Sequence, residues 1–164
     1  MAEWRLLRGW CGADTQLLPA LREVFTYPER EPGRATGWLL LQDRPPVTEW
    51  PEPFIDLGLW LLAGLDAEVG VRFTAVCYQA YLDGAGCGWH HDRDWGAQAV
   101  LSLGVTRTFG LRRGGGLVET FVQLAHGDLL FMPPGFQEEW EHCVPAEDVP
   151  GERCSLVFRA PVSQ

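Results

Sequence analysis

Lysine is absent from this chain of 164 residues, and all 13 of its basic residues are arginine. The 22 acidic residues outnumber them, so the formal net charge is −9 at pH 7 and the pI is near 4.8. This balance argues against a broad phosphate-binding surface, which needs clustered cationic side chains. A local rim of arginines remains an alternative, formed from Arg22, Arg30, Arg34, Arg44, Arg72, Arg93, Arg107, Arg112 and Arg113.

The chain also lacks a Cys-x-x-Cys motif, and its five cysteines are odd in number. Neither a disulfide framework nor a zinc knuckle is indicated, and we expect reduced thiols. The N-terminus lacks the apolar segment of a signal peptide, and the longest apolar stretch, about 57–65, is too short to span a bilayer. We therefore expect a cytoplasmic protein without a membrane partner.

Among the polar residues that are present, a His-x-Asp pair suggests a metal site. In an extended chain residues two apart share a face, so His90 and Asp92 point together while His91 points away. A third ligand must come from His126, in a turn-like Ala-His-Gly-Asp, or from His142, in a strand-like segment. We prefer His142. Two histidines and one carboxylate form the ligand set of non-haem Fe(II) oxygenases.

The tail from Arg153 to Arg159 adds a second signal. Strand alternation places Arg153, Ser155, Val157 and Arg159 on one face, which we expect to be interior. Buried guanidinium groups need anionic partners. The two arginines begin about 20 Å apart in an extended strand, and their side chains can lean inward around one short dianion. A dicarboxylic acid with one carboxylate near the metal meets that need, because arginine offers a planar fork to carboxylates.

The remaining pattern predicts one mainly β domain. A strand is expected at 3–10, a helix at about 15–27, a strand at 36–43 and a second helix at 54–65. From Arg72 onward short strands alternate with glycine-rich turns, which indicates an antiparallel sandwich or barrel. The expected strands are 72–82, 98–103, 107–112, 117–123, 128–132, 138–144 and 153–159.

The order His-x-Asp, distant His, Arg-x-x-x-x-x-Arg resembles the AlkB-type Fe(II)- and 2-oxoglutarate-dependent dioxygenases. The likeness runs from about 73 to 160 and includes Tyr81-Leu-Asp-Gly, Ser102-Leu-Gly-x-x-Arg107-x-Phe109, His126-Gly-Asp-Leu-Leu and Leu156-x-Phe-Arg. It implies a double-stranded β-helix, or jelly roll, with two N-terminal helices packed on one sheet. The single domain 1–164 would comprise an N-terminal extension with a short substrate lid, 1–71, and a catalytic core, 72–160.

The same resemblance implies the cofactors. Fe(II) would be held by His90, Asp92 and His142, with O2 as the oxidant. The cosubstrate 2-oxoglutarate would contact residues that match the family's motifs, namely Tyr81, Arg153 and Arg159. Gln79 stands where the family carries Asn in Asn-x-Tyr, and Ser155 where it carries Asn in Arg-x-Asn. Without the motif, Tyr81 would be interpreted as a core aromatic residue.

Two further residues match substrate contacts of the family. Gly37-Trp38 resembles a lid motif whose indole stacks on a base extruded from the strand. Asp94 matches an acidic residue that contacts the base. The alternatives are a structural tryptophan and a charged loop residue. The lid is short and no tyrosine follows Trp38 in the position that would hold a phosphate.

The function implied by the resemblance is oxidative dealkylation of alkylated nucleobases in single-stranded DNA or RNA. The products would be formaldehyde, succinate and CO2, the role repair or demethylation, and the protein a monomer. Two alternatives stay open. One keeps the hydroxylation chemistry but acts on a protein side chain or a small molecule, and the other is a non-catalytic jelly-roll binding module.

Overall fold

Short strands dominate the computed structural model, which describes residues 3–12, 18–19, 21, 29–31, 33–41, 64–92, 94–114, 116 and 118–162. The strands are β1 Arg5–Leu7, β2 Glu29–Glu31, β3 Arg34–Leu41, β4 Ala75–Leu82, β5 Cys87–His90, β6 Gln98–Gly104, β7 Arg107–Arg113, β8 Val118–Leu124, β9 Leu129–Met132, β10 Trp140–Val144 and β11 Glu152–Arg159. A short helix, Phe136–Glu139, precedes β10.

The strands form two antiparallel sheets. The large sheet has the order β1-β9-β6-β11-β4-β3-β2, and the small sheet has the order β5-β10-β7-β8. Strand β11 lies in the middle of the large sheet, where all eight of its residues pair with β4 and residues 153–159 also pair with β6. The expected mainly β, antiparallel architecture is therefore confirmed for the described part of the chain.

The two faces of β11 contribute to different parts of the core. Cys154, Leu156 and Phe158 join an apolar cluster on one side of the large sheet, whereas Val157 joins the cluster that contains Val100 on the other side. The alternation predicted for this strand is confirmed. Arg153, Ser155 and Val157 project into the space between the two sheets, so the strand carries polar groups into the interior.

The predicted N-terminal helices fall largely outside the described residues. Helical conformation is present at 18, 19, 21 and 64–69, and the buried Leu21 and Leu65 pack in the cluster on the outer side of the large sheet. The second helical segment thus continues beyond its expected end at residue 65. No helix among the described residues is long and apolar enough to cross a membrane.

Two strands were missed by the sequence prediction. Strand β2 lies in a segment expected to be a loop, and β5 lies in a glycine-rich segment that pattern alone assigns to a turn. Strand β5 forms because β10 is available to pair with it. Gly86 permits their close approach, since a Cβ there would meet Val144 O at 2.6 Å. The expected strand 138–144 begins only at Trp140, because the chain first makes the short helix after Gly135, whose φ of 82° is left-handed.

Three arginines proposed for a positive rim are engaged in ion pairs. Arg107 is buried, pairs with Glu147 at 2.9 Å and donates to the Gly84, Ala85 and Pro145 carbonyls, so its assignment to a rim was wrong. On the β7–β8 hairpin, Arg112 pairs with Glu141 at 2.7 Å and Arg113 with Glu139 at 3.4 Å. The local positive charge of the hairpin is therefore largely neutralised.

Asp128 fastens the N-terminal strand to the large sheet. Its carboxylate accepts hydrogen bonds from Gly9 N and Ala125 N, each at 2.9 Å, and from Arg8 Nη1 at 2.5 Å. Burial by itself raises the pKa of Asp128, but these hydrogen bonds outweigh burial and hold the pKa below its ordinary value. The ionised carboxylate therefore stabilises the fold.

We expect Asp128→Asn to lower the free energy of unfolding by about 1.5–3 kcal/mol near neutral pH, because charge-assisted hydrogen bonds to a buried group are lost. The depressed pKa makes this stabilisation complete above about pH 4 and lost as the pH falls through the folded-state pKa. Urea unfolding of both proteins at several pH values measures the difference. A stability gap that stayed constant down to pH 2 would contradict the assignment.

Candidate metal centre

Two histidines that are 52 residues apart in the sequence face each other across a strand pair. His142 on β10 stands directly opposite His90 on β5, and their ring centroids are 4.3 Å apart. Directly opposed residues of antiparallel strands project to the same face of the sheet. Phe109 on β7 also stacks on His142, with ring centroids 5.5 Å apart and planes 8° from parallel. His142 is thereby held by contacts with two rings.

Asp92 follows the end of β5 and is held by two contacts from elsewhere. Arg159 Nη2 donates to Asp92 Oδ2 at 2.9 Å, and the backbone N–H of Asp92 donates to Gln137 Oε1 at 3.0 Å. Gln137 is a buried residue of the short helix. The contacts set both the position of the backbone and the orientation of the carboxylate.

His90, Asp92 and His142 together have the geometry of a metal site. One potential ligand atom from each lies within 4.8 Å of the others. His126 is instead in the turn before β9, where its Nδ1 accepts a hydrogen bond from Gly104 N at 3.0 Å. The choice of His142 over His126 as the third member of the cluster agrees with this placement. The two-histidine, one-carboxylate donor set fits Fe(II) and leaves coordination positions open.

The pKa values of the two imidazoles are shifted in opposite directions. Burial lowers the pKa of His142 far below its usual range, and the neighbouring His90 lowers it further. His90 Nδ1 lies 2.7 Å from Gly88 O and 3.6 Å from Cys87 Sγ. Burial lowers the pKa of His90 as well, but these hydrogen bonds outweigh it and give a net increase. An Nδ1–H donated to Gly88 leaves Nε2 as the free nitrogen, the tautomer that binds metals.

A cavity extends from this cluster along the floor formed by the large sheet. The space between its lining atoms is about 320 Å³, a volume that includes open solvent. Its lining residues are Gln79, Tyr81, His90, Asp92, Gln98, Val100, Phe109, His142, Val144, Arg153, Ser155 and Val157. Polar residues lie at the two ends of the floor, and Val100 and Val157 lie between them. The shape suits an elongated ligand with a polar group at each end.

Arg153 dominates the end of the cavity away from the histidines. It is 1% exposed, its Nε donates to Ser102 Oγ at 3.3 Å, and its guanidinium lies 5.1 Å from the centroid of the Tyr81 ring. The Tyr81 hydroxyl donates to Gln79 Oε1 at 2.8 Å. Burial lowers the pKa of Arg153, which indicates a charge held at a desolvation cost. None of the ion pairs found among the described residues includes Arg153.

Several buried polar atoms of this cavity have no hydrogen-bond partner within the described part of the chain. They are Arg153 Nη1, Ser155 Oγ, His142 Nδ1 and both amide atoms of Gln98. Buried polar atoms are usually paired, because leaving one unsatisfied costs free energy. Their concentration along one cavity indicates a polar or anionic ligand, and a dicarboxylate fits the Arg153 end.

The remaining residues predicted for the site are placed as follows. Arg159 contacts Asp92 rather than standing beside Arg153, so the two guanidinium groups serve opposite ends of the cavity. Trp38 lies on β3 with its backbone opposite Cys77, and its side chain is outside the described atoms. Asp94 is exposed and does not line the cavity. The base-contact roles of Trp38 and Asp94 stay predictions.

Known proteins with similar sequences are consistent with a site for Fe(II) and a dicarboxylate. The model of the 2OG-Fe(II) oxygenase superfamily matches residues 29–159. The chain belongs to this superfamily. It is 32% identical over 177 residues to the alpha-ketoglutarate-dependent dioxygenase alkB homolog 3 of Rattus norvegicus, which covers 96% of this chain and 59% of that protein. The chain therefore spans about three-fifths of the length of that relative, and its resemblance to AlkB-type enzymes is confirmed.

Solved structures of this superfamily share the fold. The structure of OsALKBH1 superposes with a TM-score of 0.66 at 16% identity, covering 98% of this chain and 97% of that one. A 2OG-Fe(II) oxygenase family oxidoreductase from Burkholderia pseudomallei gives a TM-score of 0.67 at 18% identity, covering 98% and 84%. Together with the two facing sheets, these likenesses identify the architecture as the jelly roll of 2OG-Fe(II) oxygenases. The superfamily uses Fe(II), 2-oxoglutarate and O2, which confirms the expected cofactors at the family level.

Sequence patterns missed three residues that line the cavity or hold one of its lining residues. Gln137 follows Pro133-Pro134-Gly135 and carries no motif signal, yet it holds the Asp92 backbone. Phe109 was noticed as part of a motif but not as the ring that stacks on His142. Gln98 begins a strand and gives no sign in the sequence that its amide faces the cavity.

We expect His142→Ala to abolish tight binding of Fe(II) or Mn(II) while leaving the fold intact, because removing one ligand leaves a single imidazole and a carboxylate. Metal titration followed by tryptophan fluorescence, with a far-UV circular dichroism spectrum, measures both properties. His126→Ala is the matched control, since that histidine lies in a turn away from the cluster. Equal metal affinity in the two variants would contradict the assignment.

We expect Arg153→Lys to weaken 2-oxoglutarate binding by about 1.5–3 kcal/mol, or roughly 10- to 150-fold, because lysine keeps the charge but loses the bidentate fork. Titration of 2-oxoglutarate against the metal-loaded protein measures the change. Arg112→Lys, on the β7–β8 hairpin, is the control and should keep the wild-type affinity. A lowered Tm with unchanged affinity would show instead that Arg153 only supports the fold.

Proposed function

We propose that this protein is an Fe(II)- and 2-oxoglutarate-dependent dioxygenase that removes alkyl groups oxidatively from nucleobases of single-stranded DNA or RNA. The products are formaldehyde, succinate, CO2 and the unmodified base. The observation that supports this most directly is one cavity with the His90, Asp92 and His142 cluster at one end and the buried Arg153 at the other. When bound, iron and 2-oxoglutarate supply the oxidising chemistry for hydroxylation of a C–H bond.

The chain's own residues bind and orient these groups. His90, Asp92 and His142 hold the metal, and Arg159 fixes the Asp92 carboxylate through its 2.9 Å ion pair. Arg153 binds the carboxylate of 2-oxoglutarate far from the metal. Tyr81 and Gln79, which are joined by a hydrogen bond, border the Arg153 end of the cavity. Gln79 and Ser155 take the place of the amide contacts of the family, and Ser155 Oγ is an unsatisfied buried hydroxyl facing the cavity.

The apolar residues of the cavity lining limit the access of water to the reacting centre. Val100 and Val157 form the middle of the floor, while Phe109 covers one face of His142. Exclusion of water strengthens the electrostatic contacts that hold the cosubstrate and protects reactive species from side reactions. Within the proposal, the substrate's alkyl group lies at the open side of the metal cluster.

Likeness to AlkB-type proteins supports a nucleobase as substrate. Within the proposal, Trp38 stacks on the base and Asp94 contacts its edge. The net charge is acidic, and among the described residues Arg107, Arg112 and Arg113 are already engaged in ion pairs, which reduces the cations available for phosphates. Binding of the strand therefore depends on a few local contacts, and its affinity falls steeply as salt rises. These features favour a single-stranded substrate over a duplex.

The test is turnover of methylated oligonucleotides. We expect the Fe(II)-loaded protein at low salt to convert N-methylated bases in single-stranded DNA or RNA, with formaldehyde and succinate formed in equal amounts. Mass spectrometry of the oligonucleotide and quantification of both small products measure this. His142→Ala should form neither product.

Other outcomes separate the alternatives. Succinate formed without demethylation of any oligonucleotide would contradict the nucleobase substrate and favour a protein side chain or a small molecule. Absence of succinate under all conditions, in a protein that still folds, would favour a non-catalytic jelly-roll binding module.

A further inference from the structure

Gln98 is a polar residue of the cavity for which neither the motifs nor the ligand set provides a role. It begins β6, where it stands opposite Arg159 on β11 and Met132 on β9. Opposed residues of antiparallel strands project to the same face, and Gln98 indeed lines the cavity with Asp92 and His142. Its amide therefore lies at the metal end of the floor, on the far side of Val100 and Val157 from Arg153.

The amide of Gln98 is fully buried and unsatisfied. Its relative exposure is 0%, and neither Oε1 nor Nε2 has a hydrogen-bond partner among the residues that the structure describes. The next residue along the same face of β6 is the apolar Val100, and Met132 stands opposite on β9. Leaving a buried amide unpaired is costly, and a leucine would fill similar volume without that cost. The position therefore suits a residue that receives its partner from a ligand.

The chemistry of the metal end identifies the group that such an amide would meet. Arg159, the neighbour of Gln98 across the strand pair, already directs a guanidinium nitrogen to Asp92. A 2-oxo acid that chelates a metal through its keto oxygen and one carboxylate oxygen leaves its second carboxylate oxygen to accept hydrogen bonds. A neutral amide N–H supplies such a bond without adding positive charge beside a divalent cation.

We propose that Gln98 binds the cosubstrate, donating a hydrogen bond from Nε2 to the carboxylate adjacent to the keto group of 2-oxoglutarate. The inference rests on the proposed dioxygenase function and adds a contact at the end opposite Arg153. Gln98 thus selects for the 2-oxo-acid end of the ligand, and Arg153 for its distal carboxylate.

Binding measurements with two ligands test the proposal without requiring turnover. Mn(II) replaces iron, and tryptophan fluorescence follows 2-oxoglutarate and 4-oxopentanoate, which has a methyl group in place of the carboxylate next to the ketone. We expect Gln98→Leu to weaken 2-oxoglutarate binding roughly 10-fold or more, as loss of a hydrogen bond to a charged group predicts, and to leave 4-oxopentanoate binding unchanged. Arg153→Lys, by contrast, should weaken both ligands.

Thermal melting of the ligand-free proteins provides an independent readout. Because Gln98→Leu removes an unsatisfied buried amide, we expect its Tm to equal or exceed that of the wild type. Gln98→Met, an unbranched residue of similar volume, should behave in the same way and guards against a packing defect specific to leucine. A lowered Tm in both variants would mean that the amide has a structural partner and would overturn the proposal.

The remaining outcomes distinguish a failure of the role of Gln98 from a failure of the proposed dioxygenase function. Unchanged 2-oxoglutarate affinity in Gln98→Leu and Gln98→Met, or equal loss for both ligands, would overturn the role of Gln98 alone. Absence of 2-oxoglutarate binding by the metal-loaded wild type would overturn the dioxygenase proposal itself, and the role of Gln98 with it.

Discussion

The antiparallel pairing of β10 with β5 is the constraint on which the site depends. Only in this register does His142 stand opposite His90, so that both rings project between the sheets. A shift of one residue would turn His142 to the outer face, because side chains alternate along a strand. The close approach at Gly86 and the stacking of Phe109 on His142 both belong to the same arrangement. The metal cluster is thus a product of strand register.

The second determinant is the middle position of β11 in the large sheet. Pairing on both edges satisfies its backbone and allows every side chain from Arg153 to Arg159 to be buried. One face completes an apolar core, while the other carries Arg153 to the cavity lining and Arg159 to Asp92. Strand β11 therefore contributes both to the stability of the fold and to ligand binding. A substitution in this strand that alters one of these properties is expected to alter the other as well.

The cavity keeps several buried polar groups unsatisfied, a feature that lowers stability in the absence of ligand. In contrast, Arg107 has the same near-complete burial but is matched by Glu147 and three backbone carbonyls. The difference between the two buried arginines separates a structural role from a binding role. Each arginine keeps one unsatisfied Nη1, but Arg107 ties loops to the sheet edge through its ion pair with Glu147, whereas Arg153 lines the cavity and has no ion pair among the described residues.

The sequence by itself determined the chemistry that the chain can present. The spacing of His90 and Asp92 and the alternation of β11 indicated a metal site and a site for a dianion, because both depend on local geometry and residue type, and the order of the motifs resembled that of the family. Most strands from Ala75 onward were also predictable, since alternation and glycine-rich turns are local signals. Strand β5 escaped prediction because its pairing with β10, rather than its composition, makes it a strand.

Only the tertiary structure decided which polar groups share an end of the cavity. Arg159 and Gln98 become neighbours through the pairing of β11 with β6, and Gln137 reaches Asp92 from a helix 45 residues further along the chain. Such contacts join residues that are distant in sequence, and no local pattern records the sheet order or register that creates them. The chemistry of each side chain is set by its residue type, whereas the residues that it contacts are set only when the two sheets pack together.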